Sequence, residues 1–256
     1  MKKPAMLGLA LWCLVLLAVA EENPLPADPA GVAEQTAMKD SAPPIACIKR
    51  KKLSLRGTNQ IMFAKRATEG SEILAFDPKC PERPPRTIFE TELGFIFDIS
   101  PSYDGERLIF SLREKVDQPY HVWEIRADGT GLRQLTSGNY HDFNPVYYPD
   151  GRIVFSSTRV EAYSMCQDFL ACALHICNSD GSNIRRIDFT SLISTTPSVL
   201  PNGRILFTRW EYNDKNIFCW QGLWTIYPNG SNLKLYFGNT FVIPNGFYGA
   251  KPIPDS

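Results

Sequence analysis

The chain repeats itself, and the repeat restricts the fold more than any other feature. The run Pro101-Ser-Tyr-Asp104-Gly105-Glu-Arg107-Leu-Ile-Phe110-Ser returns as Pro145-Val-Tyr-Tyr-Pro-Asp150-Gly151-Arg152-Ile-Val-Phe155-Ser. It returns again as Pro197-Ser-Val-Leu-Pro-Asn202-Gly203-Arg204-Ile-Leu-Phe207-Thr. A second block follows each copy, spanning His121 to Leu135, Leu174 to Ile187 and Leu223 to Leu235. Each second block turns on Asp-Gly or Asn-Gly, at Asp128, Asp180 and Asn229, which are 52 and 49 residues apart.

A period on the order of 50 residues with short strands marks a propeller or array, not a helical solenoid. Asp-Gly and Asn-Gly suit tight hairpins because those residues tolerate positive φ. Two hairpins per repeat make four antiparallel strands, which is one blade. Leu108-Ile109-Phe110, Ile153-Val154-Phe155 and Ile205-Leu206-Phe207 are apolar on both faces, as strands packed between neighbouring blades must be. Trp123, His175 and Trp224 stand five residues before the turn, with Ile125, Cys177 and Ile226 three before it. Positions i and i+2 share a strand face, so the two columns predict one packing surface.

The predicted fold is therefore all-β, a β-propeller of four-stranded antiparallel blades. It spans 45–256, with a degenerate blade at 45–98, blades at 99–136, 143–188 and 196–236, and the start of a further one at 247–256. The strand candidates in the degenerate blade are Ile45–Ile48, Ile61–Phe63, Ile73–Phe76 and Arg86–Phe89. About four blades meet only the lower end of the ~4–8 that closure takes, and the sequence stops inside a repeat. An incomplete propeller is expected, from a fragment or a truncated product, closing only against another chain.

Ahead of the repeats, Lys2 and Lys3 precede an apolar stretch from Ala5 to Val19 that ends in Ala18-Val19-Ala20. This is the pattern of an export signal over 1–20. An uncleaved anchor is the alternative, although the stretch is shorter than the ~20 residues of a membrane span. A lipoprotein site is disfavoured, because bulky Trp12 precedes Cys13. Cleavage after Ala20 removes one of the seven cysteines and leaves 25 basic against 27 acidic residues. Residues 21–44, rich in Ala, Pro and Glu, read as a flexible linker. No later stretch is apolar enough to span a bilayer, so the mature chain is expected to carry no membrane span. The 27 basic and 27 acidic side chains balance, which argues against nucleic acid as a partner.

Loops joining strands two and three, and loops leading into the next blade, share one rim of a propeller. That rim collects His141, Asp142, Glu161, Asp168, Glu211, Asp214 and Trp220, the expected contact residues for a small ligand or a protein partner. Cys166, Cys172 and Cys219 belong to the same rim. In an exporting compartment two of them are expected to pair, as Cys166–Cys172 or as one of these with Cys219. Free thiols or a metal site are the alternatives. His175 and Cys177 sit in aromatic and aliphatic columns and read as core, which weakens a zinc assignment.

Neither a haem-attachment Cys-x-x-Cys-His nor a Gly-x-Ser-x-Gly elbow nor a phosphate loop is present in the sequence, so no catalytic residue, metal ligand or cofactor is assigned. The basic run Lys49-Arg50-Lys51-Lys52 with Arg56 reads as a solvated strand end. Arg113, Arg159 and Arg209 follow the second strand in every blade and are expected to be structural, bonding the turn carboxylates between blades. Asn229-Gly-Ser231 fits a glycosylation sequon, but its place in the third turn already accounts for it.

The Pro-Ser-Tyr-Asp-Gly-Glu-Arg-Leu-Ile-Phe-Ser and Ala-Asp-Gly-Thr-Gly-Leu-Arg-Gln-Leu-Thr runs resemble the blades of TolB-type propellers. Asp150-Gly-Arg-Ile-Val-Phe-Ser-Ser-Thr-Arg159, Pro201-Asn-Gly-Arg-Ile-Leu-Phe-Thr-Arg-Trp-Glu-Tyr212 and Gly249-Ala-Lys-Pro-Ile-Pro254 are similar to the middle domain of the hydrazine synthase alpha subunit and its exported relatives. The resemblance implies an exported multi-domain architecture in which the propeller is a scaffold. In the synthase, flanking regions with c-type haems carry the chemistry. This sequence contains no counterpart of their haem motifs, so no catalytic role transfers. The expectation is a non-catalytic binding module; the alternative is the propeller part of a haem or metal redox enzyme subunit.

Overall fold

A computed structural model describes residues 43–50, 69–160, 162–163, 170–190, 192–211, 221–238 and 246–253. Among the described residues there are strands and turns and no helix. The chain divides into two compact units, Met1–Cys47 with Ala75–Pro85, and Ile48–Leu74 with Arg86–Ser256. Within the first, two successive turns run from Asp77 to Arg83, the Cys80 N–H donating to the Asp77 carbonyl and the Arg83 N–H to the Cys80 carbonyl.

Strands β1 (Ile45–Arg50), β2 (Ser71–Phe76) and β3 (Arg86–Thr91) form a three-stranded sheet. The expected strand at 61–63 lies outside the described residues. Three four-stranded antiparallel meanders follow, all in the second unit. They are β4 (Phe95–Pro101) to β7 (Arg133–Gln134) by way of β5 (Arg107–Arg113) and β6 (His121–Arg126), then β8 (Asp142–Tyr147), β9 (Ile153–Ser157), β10 (Ala173–Cys177) and β11 (Arg185–Arg186). The third comprises β12 (Ile193–Val199), β13 (Ile205–Trp210), β14 (Gln221–Ile226) and β15 (Lys234–Phe237). Each first strand starts before the proline that opens the sequence repeat. Its pairing crosses a bulge, with register shifts at Ile96/Asp98, Phe143/Val146 and Thr195/Ser198.

Apolar side chains from successive blades interleave. Ile109, Val122 and Leu135 of the first pack on Tyr147, Ile153, Phe155 and Cys177 of the second. Val154, Leu174 and Ile176 on the other side of that sheet pack on Ile205, Phe207 and Ile226 of the third. Alternate residues of one strand therefore serve two interfaces, which is why these segments are apolar without alternation. His175 and Cys177 are buried as the columns implied, and His175 stacks on Phe155 with ring centroids 5.9 Å apart.

The turn residues close their own loops. Asp128 accepts from the backbone N–H of Thr130 at 2.8 Å, and Asp180 and Asn229 do the same for Ser182 and Ser231, each at 2.9 Å. Gly181 meets two demands at once. Its φ is +85°, and a Cβ there would lie 2.0 Å from the carbonyl oxygen of Leu135 in the preceding blade. The turn of one blade thus rests on the fourth strand of the one before it.

Interblade bonds at these turns come from arginines other than the expected ones. Arg86 opens the last strand of the three-stranded sheet and Arg133 and Arg185 open fourth strands; they donate to turn carbonyls of the next blade, at Ala127 (2.7 Å), Ser179 (3.1 Å) and Pro228 (3.0 Å). Arg113, Arg159 and Arg209 instead cover aromatic rings, Tyr120 at 5.1 Å, Tyr140 at 5.1 Å and Trp224 at 5.0 Å to the centroid. The end of the second strand lies at the opposite end of the blade from the β6–β7-type turn, too far away to reach its carboxylate.

Candidate functional site

The rim takes shape where the β5–β6 turn meets the β7–β8 loop. The Tyr120 N–H donates to His141 Nδ1 at 3.2 Å, and the Asp142 N–H donates to the Tyr120 carbonyl at 2.8 Å. The two rings lie 5.8 Å apart. Both classes of loop thus share one end of the blade, and His141 is committed to tying them together.

Asp142 departs from the expected solvated contact residue. It opens β8 and turns inward with no exposed surface. The Ser157 hydroxyl donates to it at 2.6 Å and Arg159 pairs with it at 2.8 Å. His121 Nδ1 approaches to 3.7 Å, beyond hydrogen-bond length. Burial pushes this carboxyl pKa up, but His121, Ser157 and Arg159 together outweigh burial and hold it below the ordinary aspartate value. Asp142 is a buried strut, sequestered because a strand-opening residue in this register faces its own sheet partner.

Cys172 is likewise no rim residue. It is a free thiol without exposed surface, packed with Phe143, Leu192, Ile193 and Trp210, and its Sγ–H donates to the Ser194 carbonyl at 3.5 Å. Burial pushes its pKa well above the ordinary thiol value. It stands at an isolated bridge to Ile193 just before β10, so the strand environment draws it into the core. Glu211, half-buried, follows β13. Glu161, Cys166, Asp168, Asp214, Cys219 and Trp220 lie outside the described residues.

Beside the Tyr120–His141 junction is a recess of about 280 Å³. Strand residues Leu112, His121, Trp123 and Gln134 form one side. These positions share a sheet face, since Leu112 pairs with His121 and Trp123 with Gln134. Glu114, Gln118 and Pro119 come from the β5–β6 turn, and Gly138 and Asn139 from the β7–β8 loop. Sequence reasoning placed the loop at 139–142 on the rim but took Trp123 for packing alone. The blade's third strand carries that side chain out of the interblade core toward the loops, and Trp123 remains partly exposed. Among the described residues, no group of three or more metal-ligating side chains converges.

These features define the class: a β-propeller built from four-stranded blades, with its loops gathered at a rim. The comparisons give the particulars. No family model matches the chain. Hydrazine synthase subunit alpha of Kuenenia stuttgartiensis is 30% identical over 92 residues, which is 36% of this chain and 11% of that protein. The solved Kuenenia stuttgartiensis hydrazine synthase superposes with a TM-score of 0.63 at 17% identity, covering 79% of this chain and 33% of that one. A TolB-type protein from Agrobacterium tumefaciens superposes with a TM-score of 0.51 at 19% identity, covering 65% and 56%. The chain resembles TolB-type propellers and hydrazine synthase in fold. It spans about a tenth of the curated relative and a third of the solved synthase chain. No helix among the described residues is long and apolar enough to cross a membrane.

Proposed function

We propose that this chain is an exported, non-catalytic propeller module that engages a small ligand or a protein partner through its loop rim. The observation that carries the reading is the recess between the β5–β6 turn and the β7–β8 loop, with His141 and Asp142 beside it. Both of those potential acid–base groups are occupied in holding the loops: His141 Nδ1 by the Tyr120 amide and Asp142 by Ser157 and Arg159. With these two groups held by the architecture, the rim offers surface more than chemistry. The signal pattern over 1–20 and the likeness to TolB support export. Affinity capture with the purified chain tests the reading. Retention of a specific ligand or partner is expected to drop when Gln118 and Asn139 are changed to Ala. Turnover of a substrate by the chain alone would overturn it.

A second reading is favoured by the 30% identity to hydrazine synthase subunit alpha. In it the chain is the propeller part of a redox enzyme subunit, and the chemistry resides in segments or partners outside this sequence. Co-purification of the chain with a Soret-absorbing protein supports it, and a complex without haem or metal counts against it.

A further inference from the structure

We propose that the rim recess of the β4–β7 blade is a saccharide subsite sized for one neutral sugar ring, an inference that rests on the rim being the binding face. Three properties of the recess select this chemistry. The first is its composition. The bodies of Trp123, Leu112 and Pro119 supply apolar surface, and Glu114, Gln118, Gln134 and Asn139 line the same recess with planar carboxylate and amide groups. A pyranose presents the same combination, with C–H faces above and below and hydroxyls around its edge. Aromatic side chains with a polar tip suit such a ligand. A hydroxyl is both donor and acceptor, and an amide presents both partners to it from one plane.

The second property is which polar groups are available. Gln134 Nε2 donates to the Thr136 carbonyl at 2.8 Å, which fixes that side chain and leaves its amide oxygen as an acceptor. His121 turns Nδ1 toward Asp142, so Nε2 is the nitrogen left for a ligand. Two ring-oriented groups are therefore preset by the blade itself, and a ligand does not have to order them.

The third is charge and size. Glu114 is the one formally charged residue among the lining side chains, which disfavours phosphates and carboxylates. The neighbouring Arg159 is spent on Asp142 and on the Ser137 carbonyl and does not compensate. At about 280 Å³ the recess falls just below the ~300–1,000 Å³ of drug-sized sites, which fits a single ring. A compact organic cation also satisfies Trp123 with Glu114. It makes no use of the amide groups of Gln118, Gln134 and Asn139, which a hydroxylated ring engages as donor and acceptor.

The purified chain is titrated with neutral monosaccharides and disaccharides, with choline and inorganic phosphate as comparison probes, following tryptophan fluorescence and thermal midpoint. Saturable binding of at least one sugar is expected. It should weaken by about tenfold or more in Gln118→Ala/Asn139→Ala, whose side chains are exposed, and in Trp123→Ala, with loss of one or two polar contacts setting that scale. Gln118→Ala/Asn139→Ala keeps the test valid if Trp123→Ala fails to fold. Binding of choline or phosphate without any sugar overturns the saccharide assignment and leaves the rim reading standing. Sugar binding that both variants retain places the site elsewhere and overturns the proposal. Silence from every probe also overturns it. The rim reading itself falls only if partner capture is likewise unchanged by the double variant.

Discussion

The backbone N–H of Asn144 donates to the Asp98 carboxylate at 2.6 Å, and the side-chain amide of Asn144 reaches the same oxygen at 2.8 Å. Asn144 Oδ1 in turn accepts from the Thr196 N–H at 3.3 Å, and Thr196 Oγ1 accepts from the Gly249 N–H at 3.2 Å. Asp98, Asn144 and Thr196 each stand seven residues before the glycine of the next turn, Gly105, Gly151 and Gly203. They occupy the bulge of three successive first strands, and Asn144 and Thr196 have φ of +53° and +51°. The bulge aims each side chain at the following blade, so a polar ladder links the repeats where apolar packing does not reach. Asp98 pays for its place: burial raises its pKa, and the bonds from Ser111 and Asn144 only partly offset this.

Removing the Asn144 amide tests the ladder. Asn144→Ala leaves the half-buried Asp98 oxygen short of a donor and forces a Cβ-only residue to keep positive φ. A destabilisation of about 2–3 kcal/mol is expected from the unmet acceptor and the strain. Urea unfolding monitored by circular dichroism measures it. A loss below about 0.5 kcal/mol, the level of ordinary surface changes, would show the ladder to be incidental.

Two buried aspartates should respond oppositely to amidation. Asp142 has a depressed folded pKa, so its contribution is present above the unfolded value of 3.8 and fades as pH falls through the lower folded value. Asp142→Asn is expected to cost about 3 kcal/mol at pH 7, the scale for breaking a buried pair, and progressively less as pH falls below 3.8. Asp188 is also fully buried, but neither of its oxygens has a hydrogen-bond partner among the described residues, and Arg209 lies 3.8 Å away. Burial raises its pKa, so its contribution is present below 3.8 and lost as pH rises through the higher folded value. Asp188→Asn should therefore be neutral or stabilising at pH 7. Thermal midpoints of both variants across pH 3–7 decide the matter.

Gly151 and Gly181 have almost the same φ, +89° and +85°, but different surroundings. An added Cβ meets nothing within 4 Å at Gly151 and a backbone carbonyl at 2.0 Å at Gly181. Gly151→Ala is expected to cost about 1–2 kcal/mol, the conformational part alone. Gly181→Ala should cost at least about 2 kcal/mol more, because the blades must separate. Equal losses in chemical denaturation would mean that the interblade contact is not tight.

The Cys172 thiol should resist alkylation at pH 8 in the folded protein and react once it is unfolded. Its burial and raised pKa both suppress the thiolate. Peptide mapping after iodoacetamide treatment reads it directly. Labelling of Cys172 in the folded chain at the rate of the unfolded one would show that the core around Phe143 and Trp210 opens readily.

What the sequence determined by itself was the blade. Asp-Gly and Asn-Gly at a regular spacing demand hairpins, and doubly apolar strands demand neighbours on both faces. Those are local requirements, and a linear chain displays them in full. It did not determine which side chains turn inward at the blade ends. Asp142 and Cys172 look like rim residues by position, yet the register of β8 and the bridge before β10 bury them. The arginines that join blades were visible as a column at Arg133 and Arg185, but their acceptors are backbone carbonyls 46 and 43 residues away, which carry no side-chain signature. The recess at Trp123 arises from two loops and three strands brought to one end of a sheet. Its existence depends on distances across the fold, and only the tertiary structure decides those.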